Sequence, residues 1–446
     1  MIRANLLNRF GRDASASTAV FFAFCAIPMI GIVGIGIDYY TALANKARLD
    51  AAADAAAIAG ITAAQQYISA NSSSQIDPGL TSNAISAGQT QAGKAFYANA
   101  GKAKTLVNAV ASAVVARSGQ TLTASVNYTG TQATAFGKLF RVPTFSLAGH
   151  SGSSLTMGSY LDFYLALDMS GSMGLPTSTA GQQQLMAINP DDRSQYPGGC
   201  QFACHFSGFQ GYGVAKNNNI TLRVDSVGKA VQNLIQTANI TQTLKNQYRI
   251  GIYTFIVNVM QAAALSSNFA AATTVAGQLG ATYLDTGLAN AATQVMGSGG
   301  THFENVFPGV QQYAQTFGDG SSPTKPKAFL FIVTDGADNN QTYDGNGNWT
   351  GSQPQRPNNF QYCQTAQQQG VTVAILYVPY QPIYNPNSSF AGDEDGKVNT
   401  VIPNIPGDLQ ACASPGYFFT ANSDTDINNA MQTMFAQALR AARITQ

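Results

Sequence analysis

The sequence predicts an α/β, doubly wound domain over residues 159–446, preceded by an N-terminal transmembrane helix with a long helical extension and a small α+β module. Three observations carry this reading. Apolar runs of strand length alternate with helix-length segments from about Ser159 onward, the pattern of a parallel sheet covered on both faces. No charged residue stands between Asp13 and Asp38, and Thr18 to Ile37 is apolar enough to cross a hydrocarbon core as one helix. Between these regions, helical and alternating stretches follow one another in short order.

Taken in order, residues 1–17 form a short terminus and 18–37 the span. Pro28 is expected to kink the span, while Gly31, Gly34 and Gly36 let another helix approach closely. The apolar run is long and lacks a small-x-small cleavage site followed by a non-helical segment, so the anchor is expected to be retained. Arg3, Arg9 and Arg12 precede the span. The positive-inside rule then puts the N-terminus in the cytoplasm and everything beyond about residue 38 outside a bacterial inner membrane, in the periplasm, as a single-pass protein. Beyond the span, Tyr39 to Gly60 has high helix propensity and no proline, which predicts one continuous rod that Gly60 weakens and Asn71 to Ser74 ends.

The segment Arg9-Phe10-Gly11-Arg12-Asp13, Pro28 within the span, Gly36-Ile37-Asp38-Tyr39, and Ala47-Arg48-Leu49-Asp50 followed by the alanine-rich run to Ala57 resembles the TadE/TadG-like proteins of the tight-adherence (Flp) pilus system. It departs from the pseudopilin members, which the resemblance would give a Glu where this chain has Thr18 to Phe22. That departure also favours a retained anchor. Residues 38–158 are expected to hold the helical stalk and small module: a helix near 81–100, strands near 105–115 and 121–128, a short helical piece near 133–140, and a strand near 144–155.

In the following domain, strands are expected near 160–167, 249–256, 328–333, 371–378 and 416–420, and helices near 223–238, 285–296, 303–317, 358–369 and 424–442. Two insertions near 175–221 and 338–360, rich in Gly, Asn, Gln, Pro and Ser, leave strand ends. Those same ends carry the chemistry. Asp168-Met169-Ser170-Gly171-Ser172 follows the first strand and Thr334-Asp335-Gly336 follows the third, and ligands in such sheets sit at carboxyl ends of strands. Asp, Ser and Thr oxygens suit a hard cation such as Mg2+, and with only Asp168 and Asp335 charged, a bound dication would accept a carboxylate from a partner. A bland reading of each piece exists, because Asp-x-Ser-x-Ser can cap the next helix.

The set resembles the von Willebrand factor A domain and its metal-ion-dependent adhesion site, with its Asp-x-Ser-x-Ser, distant Thr and Thr-Asp-Gly turn. Gly299-Gly300-Thr301 supplies the Thr. The resemblance implies Ser170, Ser172 and Thr301 as ligands, directly or behind a water, with Asp168 and Asp335 close in or one layer behind, and Mg2+, Mn2+ or Ca2+ as the ion.

The remaining signals are weaker. Cys25 lies in the span, leaving Cys200, Cys204, Cys363 and Cys412, an even number that allows three pairings; Cys200–Cys204 with Cys363–Cys412 is the favoured one. Cys200 to His205 differs from a haem-attachment sequence by one residue between the cysteines. His302 reads as a surface or capping residue, Glu304 as a first-turn acid favoured by the helix dipole and Asp393-Glu394-Asp395 as a solvated charge cluster, and the Asp344 to Asn348 loop lacks the closing Glu of a calcium loop. A formal charge of +1 with 10% charged residues gives no footprint for nucleic acid. Three histidines and no hydrolase or phosphate-loop motif argue against an enzyme. The expected function is a membrane-anchored component of Flp pilus assembly. It would bind other tight-adherence components or an envelope protein offering a carboxylate, with homo-oligomerisation open. A scaffold whose metal only stabilises the fold and a released surface adhesin stand as alternatives.

Overall fold

The computed structural model describes residues 14–71, 79–101, 106–201, 209–285, 291–314, 317–344, 348–351 and 361–444. Arg3, Arg9 and Arg12, on which the topology expectation rests, lie outside them. The chain divides between Met157 and Gly158 into two compact units.

In the first unit, α1 (Ala14–Asn71) is a single helix of 58 residues that runs through Pro28. Its first part, from Thr18 to Leu43, leaves its apolar side chains almost wholly uncovered. Further on, Leu49, Ala52, Ala53, Ala56 and Ala57 form a buried stripe at helical spacing. That stripe packs with α2 (Leu80–Ala100) and an antiparallel sheet of β1 (Leu106–Ser118), β2 (Thr121–Ala133) and β3 (Thr144–Thr156) into one core. The expected weakening at Gly60 does not occur, because Gly60 is where α2 crosses. A Cβ there would stand 3.1 Å from the Ala92 Cβ and 3.2 Å from the Gly88 carbonyl, so the missing side chain permits the close approach. A single 3-10 turn, Gly137–Phe140, joins β2 to β3.

The second unit is an α/β domain built on a six-stranded sheet. Its strands are β4 (Leu161–Asp168), β5 (Tyr248–Phe255), β6 (Val259–Ser266), β7 (Lys327–Thr334), β10 (Thr372–Tyr377) and β11 (Phe418–Thr420), with a small hairpin of β8 (Thr342–Tyr343) and β9 (Trp349–Thr350) aside. The main sheet runs β11-β10-β7-β4-β5-β6. It is mixed rather than wholly parallel. Strand β6 pairs antiparallel with β5 at the edge, and its Val-Met-Gln-Ala-Ala-Ala-Leu-Ser sequence, short of β-branched residues, carries little strand signal.

The helices of this unit are α3 (Thr179–Ile188), α4 (Gly211–Asn217), α5 (Arg223–Thr241), α6 (Ala270–Ala276), α7 (Ala291–Met296), α8 (Val306–Gln311), α9 (Gln361–Gln368), α10 (Glu394–Val401), α11 (Ile405–Cys412) and α12 (Asp424–Ile444). Strand β4 is buried on both faces. Phe163, Leu165 and Leu167 meet residues of α5 and α12, while Tyr164 and Ala166 meet those of α8, α9 and α11. The first insertion holds α3 and α4; the second holds the β8–β9 hairpin, with 345–347 and 352–360 outside the described residues.

Cys363 and Cys412 form a disulfide that ties α9 to α11. Cys200 is disulfide-bonded; Cys204 lies outside the described residues, as does His205 of the haem-like sequence. Cys25 is free and exposed.

One polar pair interrupts the apolar sheet. The Arg249 guanidinium donates to both carboxylate oxygens of Asp162 at 2.7 and 2.6 Å across the β4–β5 pair, and Asp162 is buried. Removing the cation leaves a buried carboxylate without its counter-charge. Arg249→Ala is therefore expected to destabilise the second unit by about 3 kcal/mol. Replacing both partners by apolar residues is expected to cost much less, and denaturant unfolding of the two variants checks the difference.

Candidate metal centre

Parallel pairing sets Leu167 beside Val333, so the residues that follow β4 and β7 emerge next to one another. Asp168 is fully buried there. Its Oδ1 accepts from the Ser170 N–H at 2.9 Å and its Oδ2 from the Thr334 hydroxyl at 2.7 Å, which locks the two strand ends together. The chain then enters a 3-10 turn, Gly171–Gly174, that brings the Ser170 and Ser172 hydroxyls to 3.1 Å from each other. Gly336 closes the opposite turn with a left-handed backbone, and its N–H donates to the Thr334 hydroxyl at 3.0 Å. Thr301 is carried in by a third segment, through paired backbone bonds with Asn339 at 2.8 and 3.2 Å.

Ser170, Ser172 and Thr301 line one cavity of about 320 Å3. Asp168 is bonded to the first of these, and Asp335 lies beside the second. All five residues singled out in the sequence thus converge.

A sixth group was not foreseen. Arg223, at the start of α5, donates from Nη1 to the Asp335 Oδ2 at 3.0 Å and from Nη2 to the Pro379 carbonyl at 2.9 Å. Its guanidinium sits 5.1 Å from the Tyr380 ring centre, and both charged partners are buried. The one sequence signal was its position. A basic residue in a first helical turn opposes the helix dipole and calls for another partner.

The donor set fits a hard dication. It consists of oxygens alone, and the Asp335 Oδ1 is buried with no hydrogen bond. The Ser172 hydroxyl lies close enough to favour the charged form of Asp335 without reaching Oδ1 in hydrogen-bonding geometry. Burial, and then the neighbouring Asp335 charge, push the Asp168 carboxyl well above the ordinary carboxylate range. Burial also raises Asp335, against the pull of Arg223.

The outer wall of the cavity carries Asp192, Asp393, Glu394 and Asp395 among Tyr196, Phe390, Trp349 and Tyr380. This corrects the expectation of a solvated cluster at 393–395 for Asp395 and in part for Glu394, while Asp393 is exposed as expected. Asp395 is only 5% exposed, because the start of α10 packs against Tyr196 and its loop. Burial and then the adjacent carboxylates raise Glu394 to about 7, and burial raises Asp395 to about 6. His302 is likewise partly covered, its Nδ1 lying 2.8 Å from the Glu304 carboxylate, and Asp338 nearby is pushed by burial to about 7.

Residues 16–66 match the Tad family model, described as Flp pilus-assembly TadE/G-like. No curated protein matches the chain by sequence. Solved structures to which the chain shows similarity include proximal thread matrix protein 1 from the mussel byssus, at 13% identity and TM-score 0.33 over 63% of this chain and 49% of that one. The chain thus spans about half the length of the mussel protein. BatB from Bacteroides thetaiotaomicron aligns at 12% identity and TM-score 0.32 over 63% of this chain and 99% of its own. The PilB minor pilin from Streptococcus sanguinis aligns at 11% identity and TM-score 0.33 over 75% and 79%. The N-terminal segment of the chain is TadE/G-like.

Asp338, Glu394 and Asp395 all titrate higher in the folded protein than in the unfolded chain, where they return to 3.8, 4.5 and 3.8. A raised acid favours the fold while it is protonated. The contribution is present below about 4 and is lost as pH rises through about 6 to 7. In a chelator, the second unit is expected to unfold at a lower temperature at neutral pH than near the bottom of that window, as a thermal scan across pH would read.

Proposed function

We propose that this chain is a membrane-anchored component of Flp pilus assembly whose A-like domain binds a protein partner through a hard divalent cation. The carrying observation is the meeting of Ser170, Ser172 and Thr301, drawn from distant segments, at one cavity, with Asp168 bonded to Ser170, Asp335 beside Ser172, and an Asp335 oxygen buried with no hydrogen bond. The TadE/G-like match at residues 16–66 supports the pilus system, and the charge-free part of α1, long and apolar enough to cross a membrane, supports the anchor. In this reading the N-terminus is cytoplasmic and the folded units periplasmic.

The chain's own residues set what the site accepts. Ser170, Ser172 and Thr301 offer neutral oxygens at the cavity surface, and Asp168 holds Ser170 and Thr334 in place. Mg2+, Mn2+ or Ca2+ bound here would supply an open coordination position for an oxygen ligand. Two carboxylates and one guanidinium leave the site with one net negative charge, so a dication leaves one positive charge that a single partner carboxylate cancels. The acidic outer wall adds a second demand. A ligand segment that brings its carboxylate past Asp192, Asp393, Glu394 and Asp395 fits best when basic residues flank it.

Arg223 favours a second reading, a scaffold in which the cation only stabilises the fold, since Asp335 already has a buried counter-charge tying β7 to α5. The readings part in a strain lacking the gene and complemented with wild type or with Asp168→Ala at equal membrane levels. Cation-dependent binding predicts that Asp168→Ala abolishes surface attachment and pilus assembly while the folded protein persists. Wild-type behaviour of that variant would sink the binding reading.

A bound cation also predicts rescue in vitro. Adding Mg2+ at neutral pH is expected to raise the unfolding temperature of the wild-type chain, and to leave the Asp335→Asn variant unmoved. Calorimetry of both proteins with and without the ion checks this.

A further inference from the structure

The connection between β2 and β3 has features that the proposed function does not use. It projects four apolar side chains, Phe136, Leu139, Phe140 and Val142, of which Leu139 is 74%, Phe140 49% and Val142 41% exposed. A solvated turn gains nothing from such a choice. The same connection lies along α1. A Cβ at Gly34 would stand 2.5 Å from Phe136 and one at Gly31 would stand 2.4 Å from Phe140, while both glycines are buried in a stretch whose other side chains are bare.

Gly31, Gly34 and Asp38 fall on one face of the helix, and the connection descends along it. The N–H groups of Ala135, Phe136 and Gly137 donate to the Asp38 carboxylate at 2.8, 2.8 and 2.7 Å. From Ile37, the last apolar residue before Asp38, to Gly31 is six residues, or about 9 Å at 1.5 Å per residue. Phe140 therefore lies well below the level at which α1 becomes charged.

We infer that residues 136–142 form a finger that enters the outer part of the lipid bilayer beside α1, so that the chain meets the membrane through two elements rather than one. This rests on the reading of α1 as a membrane span.

Backbone satisfaction supports the inference more strongly than apolarity does, because an unpaired peptide group in hydrocarbon costs several kcal/mol. Here six of the eight N–H groups from Ala135 to Val142 arrive with a named partner. Besides the three bonds to Asp38, Leu139 N–H donates to the Phe136 carbonyl at 2.9 Å, Arg141 N–H to Lys138 at 3.2 Å and Val142 N–H to Gly137 at 2.9 Å. The Thr134 hydroxyl donates to the Val142 carbonyl at 2.6 Å. Lys138 and Arg141 flank the apolar tip, and their long stems let the charges reach lipid phosphates while the tip stays in the acyl region. The glycines are what let the aromatic rings lie against the helix instead of splaying from it.

The full chain, with Cys25→Ser and a single labelling cysteine, is reconstituted into vesicles of phosphatidylcholine and phosphatidylglycerol and labelled with an environment-sensitive fluorophore. Phe22→Cys reports the span and Ile58→Cys the exposed helix beyond it. The inference predicts that a label at Leu139→Cys is quenched by a nitroxide on the lipid acyl chain, as at Phe22, and loses the iodide quenching seen at Ile58. Adding Gly31→Leu and Gly34→Leu is expected to restore iodide quenching at 139. Quenching at 139 by iodide alone would overturn the inference, as would shielding from both quenchers, which would mean a protein covers the finger. Absence of lipid quenching at Phe22 would instead remove the anchor reading itself.

Discussion

Two carboxylates buried at neighbouring strand ends organise the second unit. Asp168 ends β4 and Asp335 follows β7, two strands that pair in parallel in the middle of the sheet, and neither side chain has access to bulk water. Charge in that position is costly unless it is matched. The surrounding sequence reads as a set of answers to this constraint. Thr334 and the Ser170 N–H hold Asp168, Arg223 reaches across from α5 to Asp335, and a turn with a left-handed glycine lets β7 end without withdrawing its donors. The answers are incomplete by one oxygen, Asp335 Oδ1, and by one unit of charge. A dication would satisfy that oxygen and leave one positive charge over for a partner carboxylate.

The residues of this centre were legible because each is a polar exception in an apolar context. Asp168 and Asp335 end runs that are otherwise strand core, and three short motifs in one order are far more informative than any one of them. Arg223 was not legible in that way, since a lone Arg opening an amphipathic helix reads as a solvated face until the structure shows it inside. The outer wall was missed for the same reason: Asp393, Glu394 and Asp395 form a charge run, and only the packing of α10 on Tyr196 turns part of it inward. Buried charge has no signature in composition.

Much of the fold followed from hydrophobic period and propensity. The rod of α1, the small antiparallel module, and the alternation of strands with helices are all written in spacing. Strand β6 carries little signal because an alanine-rich edge strand is short of β-branched residues, and the short helices α3, α4, α6, α10 and α11 carry little because two to three turns of helix give the period too little length to register. Gly60 misled for a physical reason. Glycine weakens an isolated helix, but here it is the contact point of a helix crossing, and packing outweighs propensity. Gly31 and Gly34 do the same for the aromatic connection, so these two glycines serve packing within this chain, whereas nothing approaches Gly36.

The central claim is that the centre holds one hard cation. Mn2+ is paramagnetic and suits the same oxygen donors, so an electron paramagnetic resonance titration of the metal-free chain counts bound ions directly. The account predicts saturation at one Mn2+ per chain, displacement by excess Mg2+, and loss of that site in Asp335→Asn with the fold retained. Free Mn2+ signal from the first addition, or equal binding by the variant, would contradict it.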